Sequence, residues 1–457
     1  MRRPHGLRWF ALAFATALTL AAPTSGSESP LVAEDSVEEA VRFRTTFGFA
    51  ADREMVRSTW LDSAKYSVEP YGVPLSKDEI AEMMRRAGVQ QALEVVKLSG
   101  AALESYAGVY IDQHDGGRPV YMATDDGFAL TRALGEQLPG GIDFRIQQAA
   151  RTEAELLHLK DRIASDVDDL QEQGIEVVRI ALEPSRNTLM VGVLALTTKA
   201  ESTLRERYGS ELVIAEDGVA QSDACVGRND CRPIKGGIAI NPLGVAANQC
   251  TTGFIVKRSP GPGLGVLTAG HCLQVFGGYD VTWQHNADSF GNARHETWKP
   301  GLTGNSDVGY ITIVESVPNK NEMRRVNNSV VQVLSVATPI VGGQGCRVGL
   351  TSGHKCGVIT QYPAQRVSHV DGWANMTVTK TATLNFDSTG GDSGGSVFYY
   401  STPGAESGNV VALGTHVHSE EDGPAANESW FSPYFDARGD YLNQFGYSYL
   451  ICVQTAC

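Results

Sequence analysis

The chain has 457 residues, with 38 Lys and Arg against 52 Asp and Glu, a net charge of −14, and 49 Gly. That length accommodates two or three domains with sizeable cores. The composition is that of a soluble globular protein, and the acidic balance argues against nucleic acid as a partner.

The N-terminus reads as a secretory signal over residues 1–26. Arg2, Arg3 and Arg8 form a basic region, and Phe10 to Ala22 is an apolar run of 13 residues. That run is too short for a relaxed bilayer span. Small residues follow, which places cleavage within 22–28; an uncleaved anchor is the alternative. All eight Cys lie beyond residue 220, at 225, 231, 250, 272, 346, 356, 452 and 457. An exported chain with an even number of Cys is expected to form disulfides.

Charge divides the remainder at about the same point. Residues 27–220 carry 20 Lys and Arg against 34 Asp and Glu, whereas residues 221–457 carry 15 against 18. The first part reads as a helix-rich α/β (α+β) unit. Ser76 and Glu79 form a capping box at the start of one helix. Tyr106 to Tyr121 reads as a hairpin turning at Asp115-Gly116-Gly117. Thr152 and Glu155 repeat the capping signature. After them Leu156, Leu159, Ile163, Val167 and Leu170 predict one continuous helix, of roughly five turns, stopped by Gly174. Residues 177–182 and 189–196 read as a hairpin around Pro184 to Asn187. A helix from Ala200 to Tyr208 and a strand from Glu211 to Ala215 complete the unit.

Beyond residue 220 the pattern changes to short β-branched or aromatic runs separated by Gly, Asn and Pro. They fall at residues 253–257, 264–267, 308–314, 330–336, 376–381, 397–400 and 410–415. No long helical periodicity stands out, so the second unit is expected to be an all-β sandwich or barrel.

Within this β unit, Gly391-Asp392-Ser393-Gly394-Gly395 surrounds a small nucleophile with glycines. A serine hydroxyl needs a base at neutral pH. Thr268-Ala269-Gly270-His271-Cys272 supplies a His after a strand, and Asp307 leads into another strand. Acyl transfer assigns attack to Ser393, proton transfer to His271, and orientation of the imidazole to Asp307. Asp280 and Asp288 also lie between His271 and Ser393; Asp307 is preferred because an apolar strand follows it. The N–H groups of Gly391 and Ser393 would bind the oxyanion. The run also fits Gly-x-Ser-x-Gly, the nucleophile elbow. That elbow requires a helix after the Ser and the order Ser, acid, His. Here a strand-like run follows, and His271 and Asp307 precede, so the elbow is rejected.

These motifs, with Cys346 to Gly357, resemble the chymotrypsin-like (trypsin-like) serine proteases, and more closely their alpha-lytic protease and streptogrisin branch. The resemblance spans roughly 236–450. It implies a double β-barrel of two six-stranded barrels with the active site between them, the disulfides Cys250–Cys272 and Cys346–Cys356, and a structural role for Asp392. Cys225–Cys231 and Cys452–Cys457 are proposed from proximity, with cross-pairing open. Tyr71 to Ser76, Ala107 to Asp112 and Arg186-Asn187 resemble the pro-segments of the same branch. That implies a zymogen whose pro-region, residues 27–218, assists folding and inhibits the protease domain, residues 219–457, until it is cut away.

Two readings of primary specificity stand. Asp387, six residues before Ser393, could select a basic side chain. Alternatively, His416 with Ser388 and Ser419 could receive an acidic one, although Val417 stands where the branch usually has Ser. His416 and His418 are paired in sequence without convincing partners, and no metal cluster or cofactor motif stands out. The expected protein is a secreted, extracellular, monomeric endopeptidase. Its partners are a protein or peptide substrate and its own pro-region in cis, with no nucleic acid and no membrane after processing.

Overall fold

The computed structural model describes residues 34–100, 103–137, 142–217, 234–245, 249–261, 263–275, 277–285, 288–298, 303–314, 322–324, 330–368, 377–401, 409–419 and 428–453. The expected signal segment, the expected junction beyond residue 217, and Cys225, Cys231 and Cys457 lie outside these residues.

The N-terminal unit is mixed α/β. Helices Glu34–Thr46, Arg53–Thr59 and Lys77–Gly100 come first. The Ser76 amide donates to Glu79 Oε2 at 2.8 Å, and the Glu79 amide donates to Ser76 Oγ at 3.3 Å. Two orphan donors at the start of the long helix are thereby satisfied. Strands Tyr106–Asp112, Arg118–Ala123 and Arg145–Gln148 form a three-stranded sheet. The expected hairpin around Pro184 is present as Val177–Glu183 and Thr188–Val193. Asn187 takes the left-handed turn position at φ 51°, which asparagine tolerates better than most side chains. Helix Thr198–Tyr208 leads into strand Val213–Glu216, parallel to the second hairpin strand.

One expectation here is corrected. The helix that starts at the Thr152 cap is two helices, Glu153–Ser165 and Val167–Glu172. Asp166 interrupts them at φ −94°, ψ 5°. Its carboxylate accepts from the Tyr208 hydroxyl at 2.8 Å and from Arg207 at 3.4 Å. The apolar stripe survives the break, because Leu156, Leu159, Ile163, Val167 and Leu170 are all buried in one core.

The C-terminal half is built mainly of β-strands. Its first sheet has eight strands in the order Cys250–Thr251, Ala239–Pro242, Thr282–His285, Asp288–Glu296, Gly309–Thr312, Leu264–Thr268, Ile255–Ser259 and Ser448–Ile451. Ile240, Val266, Trp283, Phe290 and Ile311 fill it. The second sheet runs through Thr377–Leu384, Ser429–Pro433, Val410–Ser419, Ser396–Tyr400, Gln344–Val348 and His354–Ser368. Its core includes Ile359, Leu384, Val397, Leu413 and Phe431.

Neither sheet has the six strands expected. The chain's last strand, Ser448–Ile451, returns to pair with Ile255–Ser259 in the first sheet. The second sheet has 12 strands, three of which, Val177–Glu183, Thr188–Val193 and Val213–Glu216, belong to the N-terminal unit. Strand His354–Ser368 pairs antiparallel with Val177–Glu183, placing Ala364 opposite Ala181 and Arg366 opposite Arg179. The two halves also share apolar packing: Val37, Phe43, Phe47 and Tyr71 belong to one core with Phe398, Tyr400 and Val410.

A second correction is helix Tyr434–Phe445, within the part expected to lack helices. It buries Tyr434, Ala437, Asp440 and Tyr441. The helical spacing is present in the sequence but masked, because one inward position is an aspartate and Gly439 precedes it. Among the described residues, no helix is long and apolar enough to cross a membrane.

Candidate active site

His271 stands in the short helix Gly270–Val275, which directly follows strand Leu264–Thr268. Asp307 lies just before strand Gly309–Thr312, which pairs with that same strand. The pairing brings the two residues together although 36 positions separate them in sequence. Gly270 makes the approach possible, since a Cβ there would stand 2.9 Å from Trp298 Cβ and 3.0 Å from Asp307 Oδ1.

The nucleophile loop reaches this pair from the second sheet and is fixed from both sides. The Gly394 amide donates to His416 O and the His416 amide to Gly395 O, each at 2.8 Å. From the first sheet, the Thr251 amide donates to Ser393 O at 2.8 Å, and Thr251 Oγ1 donates to Gly391 O at 2.6 Å. Gly394 has φ +92°, and a Cβ there would collide with the Thr251 carbonyl and Thr268 Oγ1. Glycine is required on both counts.

The resulting contacts are continuous. His271 Nε2 is 3.0 Å from Ser393 Oγ. His271 Nδ1 is 2.7 Å from Asp307 Oδ2. Asp307 Oδ1 accepts the His271 amide at 2.8 Å, and the Asp307 amide donates to Ser432 Oγ at 2.8 Å. Asp307 and Ser393 are fully buried and His271 nearly so. Burial by itself would raise the Asp307 carboxyl. The charge and hydrogen bond of His271, with His418 and the His271 amide behind them, outweigh burial and hold it below the usual range. Asp307 is therefore an anion at neutral pH. It selects the tautomer with the proton on His271 Nδ1, leaving Nε2 to accept from Ser393.

Asp392 faces away from this chemistry. It forms a fully buried ion pair with Arg347 at 2.8 Å. It also accepts the amides of Thr351 at 2.8 Å, Ser352 at 3.1 Å and Thr389 at 3.0 Å. The Ser352 hydroxyl donates to it as well. Burial would raise its carboxyl, but Arg347, His416 and these hydrogen bonds together lower it. Among the described residues, the Gly391 and Ser393 amides on either side donate no hydrogen bond within the chain.

The specificity candidates separate. Lys355 pairs with the Asp387 carboxylate at 2.6 Å, and that carboxylate is 40 % exposed. Glu39, from the first helix of the N-terminal unit, lies near enough for burial, with Asp387 contributing, to raise its carboxyl against the pull of Lys355. His416 is fully buried on the Asp392 side, and Ser388 and Ser419 are buried too. The disulfides Cys250–Cys272 and Cys346–Cys356 are formed. Cys452 is disulfide-bonded as well, with its partner outside the described residues.

Residues not singled out from sequence complete the site. Arg347 neutralises Asp392. Asp440, on the helix Tyr434–Phe445, accepts the Ser306 amide at 2.7 Å and pairs with Lys380 at 2.7 Å, which fixes the chain beside Asp307. His418, read from sequence only as one of a His pair without convincing partners for a metal, lies against His271 and Asp307. Residues two apart on a regular strand share a face. A register shift between His416 and His418 breaks that rule and turns them to different neighbours.

No family model matches the chain. Among solved structures, the chain is similar to Thermobifida fusca protease A, with 22% identity over 48% of this chain and 98% of that one, TM-score 0.36. It is similar to a Nocardiopsis protease, with 21% identity over 47% and 98%, TM-score 0.35. A third is a glutamic acid-specific serine protease with a histidine triad in substrate binding, at 21% identity over 48% and 100%, TM-score 0.36.

Proposed function

We propose that this chain is a secreted serine endopeptidase made with an inhibitory, folding-assisting pro-region. The observation that carries the reading is the unbroken contact series from Ser393 Oγ through His271 to Asp307. Ser393 Oγ attacks the scissile carbonyl carbon, and its proton passes to His271 Nε2. Asp307 stabilises the imidazolium, and the amides of Gly391 and Ser393 receive the oxyanion. Collapse breaks the C–N bond as Nε2 returns the proton to the departing amine. Water, with His271 again as base, then hydrolyses the acyl-enzyme.

The pro-region extends over 27–218 and the protease over 219–457, after a signal peptide at 1–26. The supporting contacts form a network that spans the boundary between the halves. Asp217, fully buried, pairs with Arg179 at 2.5 Å and with Arg366 at 3.3 Å. Arg179 reaches Glu428 at 2.5 Å. The Arg366 guanidinium lies 3.5 Å from the Trp430 ring centroid. Gln90 donates to Gln344 O at 3.1 Å and accepts the Gln344 amide at 2.6 Å. The continuous sheet adds backbone pairing to these side-chain contacts. A double barrel depends on non-local contacts and folds slowly alone, so a preformed hairpin that templates strand His354–Ser368 assists its closure.

A fluorophosphonate probe on processed protein tests the reading. Ser393 is expected to label, casein to be cleaved, and Ser393→Ala to lose both. A folded, processed sample that never labels beside a labelling control overturns it. Edman sequencing of the secreted product is expected to give an N-terminus no later than Cys225.

A further inference from the structure

Resting on that reading, we propose that His418 is a positioning residue for the catalytic pair, a second imidazole that shares Asp307 with His271. The His418 and His271 rings stack, with centroids 5.0 Å apart and planes inclined by 16°. His418 Nε2 is 3.4 Å from Asp307 Oδ2, the same oxygen that faces His271 Nδ1. At that separation the contact is a charge–dipole interaction longer than an ordinary hydrogen bond. Val417, between the two strand histidines, is apolar and packs into the first core. It offers Asp307 no donor, and His418 takes that place.

The arrangement has two consequences. Neutral His418 with its proton on Nε2 directs a dipole at the outer carboxylate oxygen, holding Asp307 in the plane that His271 needs. Its ring also covers one side of the His271–Asp307 contact and keeps water from competing there. Protonated His418 would instead place a full positive charge beside the imidazolium that forms during acyl transfer, and so oppose it. The two imidazoles therefore titrate as a coupled pair. Other charged groups among the described residues stand near His418. Asp307 and His271 face it, and Asp440 stands behind Ser306 with its partner Lys380. Arg366 lies on Trp430, the cross-strand neighbour of His418. His416, on the same strand, acts on Asp392 instead.

Two variants and two readouts test the assignment. His418→Ala is expected to lower kcat/KM for a peptide anilide about tenfold, through kcat with KM nearly unchanged, the loss expected for one hydrogen-bond-scale contact. His418→Gln keeps an N–H donor without a titratable charge. It is expected to recover most of that loss and to change the acid limb of the pH–rate profile from two protons to one. Histidine NMR on the full chain carrying Ser393→Ala needs no activity: the His271 titration midpoint is expected to rise when His418 is replaced by Ala. The proposal is overturned if His418→Ala matches the parent in kcat and acid limb, or if Gln is as damaging as Ala. If the parent neither labels nor cleaves, the protease reading fails; an unmoved His271 midpoint in the NMR experiment then overturns this proposal separately.

Discussion

Replacing Arg347 by Met isolates what the buried charge pair does for the nucleophile loop. Arg347 and Asp392 are both fully buried and 2.8 Å apart. At an effective dielectric of 20 their attraction is about 4–6 kcal/mol. Removing one partner of a buried pair typically destabilises by about 3–5 kcal/mol. Three backbone amides and the Ser352 hydroxyl still serve Asp392 in the variant, so the lower end, about 3 kcal/mol, is expected. The sign follows from linkage. In the parent, the Asp392 carboxyl is held below its usual range. It therefore contributes stability above its unfolded pKa that is lost as pH falls through the folded value. In the variant, burial remains while its main opponent is gone, so the carboxyl rises and a proton relieves the unpaired charge. The gap between parent and variant should accordingly be widest near pH 7 and narrow towards pH 4. Urea unfolding of the full chain on a Ser393→Ala background, followed by near-UV circular dichroism at both pH values, measures it. A loss below about 1 kcal/mol at pH 7, where an ordinary surface change would fall, or a loss independent of pH, would refute the argument.

Gly394→Ala should yield folded protein poorly and abolish labelling at Ser393, because the added methyl meets the Thr251 carbonyl and Thr268 Oγ1 at φ +92°; near-normal labelling would show that the loop can move aside. Asp217→Asn should loosen the N-terminal unit, since Arg179 and Arg366 lose their shared carboxylate. In Ser393→Ala chain nicked after residue 217, the N-terminal fragment should leave about a hundredfold faster or more on dilution, the lower bound for a broken buried pair. Replacing both Cys250 and Cys272 by Ala removes a link of sequence separation 22, for which chain entropy predicts a loss of about 3 kcal/mol in the same urea assay.

The sequence made legible what local chemistry encodes. His271, Asp307 and Ser393 each stand in a short motif, and their order rejected the elbow before any geometry was available. The two capping boxes and the hairpin around Pro184 were readable for the same reason, since their hydrogen bonds close within a few residues. The helix break at Asp166 was hidden because its cause, Tyr208 and Arg207, is some 40 positions away. The helix Tyr434–Phe445 was hidden because Asp440 points inward to serve the chain beside Asp307. His418 was passed over because strand alternation assigns it to the side of His416, and only the register shift turns it towards Asp307.

These hidden features have a common origin in long-range support. Thr251 from the first sheet holds the carbonyls of Gly391 and Ser393, whereas Arg347 from the second sheet holds the carboxylate between them. Asp307 is set in turn by Ser432 and, through Ser306, by Asp440, both contributed by the chain after residue 428. The nucleophile loop thus acquires its geometry only when both sheets and the C-terminal helix have come together. The N-terminal unit adds to this long-range support: it pairs with strand His354–Ser368 and packs Tyr71 against Tyr400 at 5.4 Å between ring centroids. On the proposed pro-region reading, the contacts that join the halves also retain the N-terminal unit, so weakening the Asp217 network should speed its release.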